Sequence, residues 1–224
     1  MTKIEVIKET ELEQFITEML SGAKMHPISV ENADYHHNTS YENAPFNIRH
    51  GLMSTTRLMN YGRISKTPEQ LSALENDAAS VNGIYEISLS KVGLTDQYRE
   101  DEWEWEPRKG RCPDILIDSS IKTRRDYTNY FNEFLAEGII LPDKFRAIDV
   151  RILSVINGTD RTSSWSDRDK KLEALREMYN QLSEMAIAMR EKGLDIPLRE
   201  MSNEDNLALN IDKVADFPKI RTIK

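Results

Sequence analysis

Residues 34–52 read DYHHNTSYENAPFNIRHGL, and the two halves of this stretch make different local demands. The first, 34–40, ends in Asn-Thr-Ser and reads as a short strand leaving into a turn. The second, 41–50, reads as helical and stops at Gly51, a residue favoured at helix C-termini. Pro45 would strain a helix interior, so the helix is expected to start at Asn43, with the proline in its first turn. A strand handing directly to a helix, with no regular βαβ rhythm around it, sets the terms for the rest of the chain.

Working outward, 9–20 (ETELEQFITEML) has Leu12, Phe15, Ile16 and Leu20 at helical spacing, and Ser21-Gly22 ends the pattern. Thr67-Pro68 before EQLSALENDA marks another helix start, with Thr67 as cap. The stretch 83–89 (GIYEISL) alternates as a strand, with Ile84 on one face and Tyr85 on the other. Short strands are expected at 115–117 and 132–135, and a longer one at 145–156 (FRAIDVRILSVI). The stretch 96–110 reads as a polar loop. A helix is expected over 166–192, capped by Ser166 and ended by Gly193, with Leu172, Leu175, Met178, Leu182, Met185 and Met189 as its packing stripe. That stripe is also the surface through which the chain would oligomerise, if it does. The tail after Pro197 reads as polar and partly irregular. The pattern is α+β, with expected divisions at 1–33 (a helical segment packed on the core), 34–165 (the main domain) and 166–224 (long helix and tail).

The 224 residues include 30% charged and 39% hydrophobic positions, which suits one packed core. No apolar run approaches the ~20 residues a membrane span needs. The first fifteen residues carry acidic side chains where a signal peptide has its apolar centre, so the expected location is cytoplasmic. Cys112 is the only cysteine, and His26 and His50 lack partners at metal-ligand spacing, so no metal is expected. The net charge of −8 argues against broad nucleic-acid binding, although Arg108, Lys109, Arg111, Lys122, Arg124 and Arg125 form a local basic stretch. It follows an acidic run, DEWEWE at 101–106, whose Trp103 and Trp105 either fold onto the core or sit in a closing loop. There is no glycine-rich phosphate loop.

Three segments carry candidate chemistry together: His37-Asn38-Thr39 with Asn43 and Gly51-Leu52; Gly83-Ile84-Tyr85; and 130–135 (YFNEFL). In their order and spacing, over roughly residues 34–153, the chain resembles the His-Tyr-Glu branch of the ADP-ribosyltransferase superfamily, typified by the poly(ADP-ribose) polymerases and diphtheria toxin. The resemblance implies an ADP-ribosyltransferase-like split mixed sheet. It also implies NAD⁺ as substrate, without a metal, and mono-ADP-ribosyl transfer to a macromolecular acceptor, protein rather than nucleic acid by default, in a toxin-like or regulatory setting. The catalytic residues it implies are Glu133, His37 and Tyr85, and the NAD-binding residues are His37, Asn38, Thr39, Tyr85, Ser90 and Tyr98.

The chemistry asked of these residues is simple. Breaking the nicotinamide–ribose bond passes through an oxocarbenium-like state and releases a neutral leaving group. A carboxylate beside the ribose stabilises the cation, the role the resemblance gives Glu133. An imidazole bonds the other ribose (His37), and an aromatic face stacks on the cationic nicotinamide (Tyr85, with Tyr98 as a second face). Asn38 stands where the family has glycine, and Phe131 stands where arginine-directed toxins carry Gln or Glu. His36 is the other candidate histidine, but spacing to Gly51 favours His37; Asp114 is the reserve carboxylate. Taken singly, each residue has an ordinary structural reading: a strand-end histidine, a half-buried strand tyrosine, a solvated carboxylate. The alternatives are a catalytically inactive NAD- or ADP-ribose-binding module on the same fold, an RNA 2′-phosphotransferase-like enzyme, or a structural partner protein using its long helix.

Overall fold

The computed structural model describes residues 9–27, 29–63, 85–92, 113–125, 133–152, 168–201 and 206–217. In chain order the elements are α1 (Glu9–Leu20), β1 (Lys24–Met25), β2 (Ala33–Asn38), α2 (Ala44–His50), β3 (Leu52–Met53) and α3 (Thr55–Asn60). They continue as β4 (Ile87–Lys91), β5 (Asp114–Asp118), β6 (Arg124–Arg125), β7 (Glu133–Ala136), β8 (Ile139–Ile140) and β9 (Phe145–Val150). The last are α4 (Arg168–Lys192), β10 (Leu198–Glu200), β11 (Leu207–Ala208) and α5 (Ile211–Ala215). The architecture is α+β. Among the described residues nine strands form one mixed sheet in the order β1-β11-β10-β9-β5-β2-β4-β7-β6, and β3 pairs with β8 in a separate two-stranded sheet.

The hydrophobic pattern explains this layering. Ile87, Leu89, Ile115, Ile117 and Phe145 are buried together with Leu52 and Ile140 of the small sheet. Ile148, Val150 and Leu198 are buried against Phe15 and Met19 of α1, Ile48 of α2, and Met178, Leu182, Met185 and Met189 of α4. Each such aliphatic side chain contributes roughly 1.5–3 kcal/mol by leaving water. Tyr179 stacks on Phe217 with centroids 4.9 Å apart, and Phe15 meets Tyr179 edge-on at 4.6 Å, tying α1, α4 and the C-terminal segment into one core. The apolar stripe of α4 is thus spent on the chain's own core; Leu172 and Leu175 lie among residues whose side chains are not described.

The 34–52 stretch forms as its composition requires. Asn43 precedes α2, proline occupies its first turn, and Gly51 closes it. Gly51 has φ +91°, and a Cβ there would lie 2.5 Å from the Ile140 carbonyl oxygen, so only glycine lets β3 pass this close to β8.

Four expectations need correction or limits. The strand expected at 83–89 is β4, Ile87–Lys91; Tyr85 precedes it and is 60% exposed, neither on the strand nor half-buried. The strand expected at 145–156 ends at Val150. Within the tail after Pro197, the described residues include β10 and β11, which join the sheet, β10 parallel to β9; residues 202–205 and 218–224 lie outside the described residues. Its charged residues misled because they are paired inside the sheet. Arg199 is 1% exposed and donates from Nε and Nη2 to the two Asp149 carboxylate oxygens at 2.7 Å each, while its Nη1 reaches the Pro27 carbonyl at 2.9 Å. Glu200 accepts from the Ile152 amide at 2.9 Å. The helix expected after Thr67-Pro68, the 96–110 loop with Trp103 and Trp105, Ser166 and Cys112 lie outside the described residues. No described helix is long and apolar enough to cross a membrane.

Candidate active site

Strands β2, β4 and β7 lie side by side and carry most of the residues that sequence motifs single out. Their register decides which side chains can meet. His36 of β2 is directly opposite Ser90 of β4, and Ser90 is directly opposite Glu133 of β7. Residues directly opposed in antiparallel strands project from the same face. His36, Ser90 and Glu133 therefore form one row, with the two outer members two strand spacings apart, roughly 10 Å. The row continues beyond His36 to Leu116 and Ala147.

His37 points the other way, because successive strand residues alternate between faces. It shares its face with Tyr35, which packs against Phe134 with ring centroids 5.4 Å apart. The His37 Nδ1–H donates to the Ser88 carbonyl at 2.9 Å, which bolts β2 to β4. Burial is the main cause that pushes the His37 imidazole below its ordinary value, and the neighbouring His36 adds to it; the Ser88 carbonyl and Asp114 pull the other way without prevailing. The ring is neutral at pH 7, with its proton on Nδ1. Glu133 and His37, expected to share a site, thus occupy opposite faces of the sheet.

Around His36 the face is polar. Its Nδ1 lies 3.5 Å from Asp114 Oδ1, and the Asn38 side-chain amide donates to the same oxygen at 2.9 Å. Among the described residues neither imidazole nitrogen of His36 has a hydrogen-bond partner, and both are shielded from solvent. Burial disfavours the Asp114 anion, but His36, the Asn38 amide and Arg151 together outweigh it and hold the carboxyl below its usual range. Asp114 opens β5 and is ionised.

The remaining expected residues are scattered. Thr39 is buried and its hydroxyl accepts from the Asn47 side-chain amide at 2.9 Å, a bond that fastens the end of β2 to α2. Asn38 is committed to Asp114 through its side chain. Tyr85 lies exposed two residues before β4, and Tyr98 lies outside the described residues. Among the described residues no group of three His, Cys, Asp or Glu is placed to hold a metal ion; His26 donates from Nδ1 to the Pro27 carbonyl. A cleft of about 490 Å³ lies between Leu141, Phe145, Arg146, Lys192, Leu194 and Ile196, and includes none of the candidate residues.

Spacing to Gly51 selects His37 over His36 but carries no information about faces. The signal for His36 was the alternation itself: Tyr35 is the aromatic, core-facing residue of β2, so His37 shares its parity and His36 does not. Comparison with protein-family models, curated proteins and solved structures found no match.

Proposed function

We propose that the chain is a mono-ADP-ribosyltransferase that cleaves the nicotinamide–ribose bond of NAD⁺ and transfers ADP-ribose to a protein acceptor, on an ADP-ribosyltransferase-like core. The observation that carries this reading is the alignment of Glu133 beside Ser90 on adjacent strands, with His36 in the same row on the next. A carboxylate held on a rigid strand is what an oxocarbenium-like ribose requires, and a neighbouring hydroxyl supplies both a donor and an acceptor for the substrate amide or sugar. Tyr85, exposed at the entrance to β4, offers a ring face for the cationic nicotinamide. His37 takes a positioning role: its bond to the Ser88 carbonyl holds β4 in register, and β4 in turn sets Ser90 against Glu133.

The reaction asks little acid catalysis of these residues, because nicotinamide departs neutral when the C1′–N bond breaks. What they must do is hold the dinucleotide and stabilise the ribosyl cation until the acceptor arrives. Asn38 favours one second reading, a non-catalytic NAD⁺-binding module, because a side chain tied to Asp114 stands where the resembled family has a bare glycine. Nicotinamide release separates the two. A transferase releases it from NAD⁺ and labels protein in a lysate; a binding module retains NAD⁺ without releasing it.

A further inference from the structure

Strand β7 carries Glu133 and has β4 on one side and the two-residue strand β6 on the other. Its ladder with β6 is short: Arg124 opposes Leu135 and Arg125 opposes Phe134. Pairing of that length is marginal by itself. Two side-chain bridges reinforce it, one on each face of the sheet. Leu135 is two residues from Glu133, so Arg124, directly opposite Leu135, projects from the face of Glu133. There Arg124 forms a two-point ion pair with Glu86, Nε donating to Oε1 at 3.1 Å and Nη2 donating to Oε2. Glu86 leads into β4, and β7 lies between β4 and β6, so the pair crosses β7. On the opposite face the Tyr35 ring packs on Phe134 of β7, with centroids 5.4 Å apart. The Tyr35 hydroxyl shares a 3.0 Å hydrogen bond with the hydroxyl of Thr123, the residue before Arg124. This second bridge runs from β2, past Phe134, to the chain entering β6.

Resting on the transferase reading, we infer that Glu86 and Tyr35 are positioning residues that, with Arg124 and Thr123, clamp β7 from both faces and hold Glu133 against the ribose. Glu133 is the first residue of β7, and its place opposite Ser90 is only as fixed as the strand behind it. A carboxylate stabilises a developing cation only when held where the charge appears. The clamp supplies that constraint without touching the reacting atoms from one of its sides, because Tyr35 lies on the face away from Glu133. An effect of the Tyr35 hydroxyl on turnover therefore reports on the strand and not on ligand contact.

The experiment compares wild type with Glu86→Gln, Tyr35→Phe and the double variant, each checked by thermal unfolding. Amide hydrogen exchange over residues 133–136 reads the clamp, and nicotinamide release at saturating NAD⁺ reads its use. Each lost bridge is expected to speed exchange roughly 2- to 10-fold, the weight of one hydrogen bond. A displacement of about 1 Å can cost about 100-fold in rate, so kcat of the double variant is expected to fall roughly 10- to 100-fold. Tyr35→Phe is expected to lower kcat while leaving NAD⁺ affinity unchanged. It also keeps the ring on Phe134, and so tests the clamp should Glu86→Gln not fold. Unchanged exchange in the folded variants, or faster exchange with kcat unchanged, overturns the inference and leaves the transferase reading intact. A wild type that binds NAD⁺ but releases no nicotinamide overturns both.

Discussion

His36 and Glu133 project from the same face of the sheet, each directly opposite Ser90. The neighbouring His37 projects from the other face and spends its Nδ1–H on the Ser88 carbonyl. Two adjacent histidines therefore have different chemistry: one neutral and structural, the other set against an ionised carboxylate on the polar side.

The His37 bond has a pH signature. Because burial depresses the folded imidazole below its ordinary 6.5, the unfolded chain binds a proton that the folded chain resists. Its stabilisation is complete above pH 6.5 and is lost as pH falls towards the depressed folded value. Urea unfolding at pH 7.5 and pH 5.5 should show the difference in stability between wild type and His37→Gln shrinking at the lower pH.

The charged residues of β10 give a second outcome. Arg199 and Asp149 form a buried, two-point ion pair between parallel strands. Arg199→Met would leave Asp149 buried and uncompensated, at a cost of about 3–5 kcal/mol. The double variant Arg199→Met, Asp149→Leu should recover most of that loss, because replacing a whole buried pair by apolar side chains is often neutral. Denaturant midpoints of the single and double variants check both statements.

Legibility from sequence followed the same physics. Helices α1 and α2 were readable because apolar spacing, a first-turn proline and terminal glycines all act locally. Strand β10 was not, because the partner that makes Arg199 tolerable in a sheet lies fifty residues away on β9. The start of β4 was misplaced because Ile84 and Tyr85 continue the alternation in sequence, while pairing with β7 begins only at Ile87. The histidine ambiguity was of another kind: motif spacing tolerates a slip of one residue, whereas a strand inverts its side chains at that slip. Strand β7 was found at its place, but which neighbours Glu133 would meet depended on a register that no local pattern encodes.

A third outcome concerns Asp118 at the end of β5. Its Oδ1 accepts from the Ser120 amide at 2.6 Å, and its Oδ2 pairs with Arg146. Hydrogen bonds from Ser120 and the Arg146 guanidinium bring the carboxyl down to about 2, against an opposing burial effect. A depressed carboxylate stabilises above its unfolded value of 3.8 and ceases to do so as pH falls to about 2. With Arg146 partly in water the contribution is about 1 kcal/mol. Asp118→Asn should lower stability by that amount at pH 7, and the gap to wild type should close between pH 4 and pH 2 in urea titrations.

The central claim is that Glu133 stabilises a ribosyl cation formed from NAD⁺, and the most direct test compares nicotinamide release by wild type and Glu133→Gln. The exchange keeps size and hydrogen-bonding capacity while removing the charge, so folding and NAD⁺ binding should persist. Loss of one preorganised electrostatic group costs about 100- to 1,000-fold in rate, and a drop of that order is the predicted result. Equal release by the two proteins, or none by wild type while NAD⁺ remains bound, would contradict it.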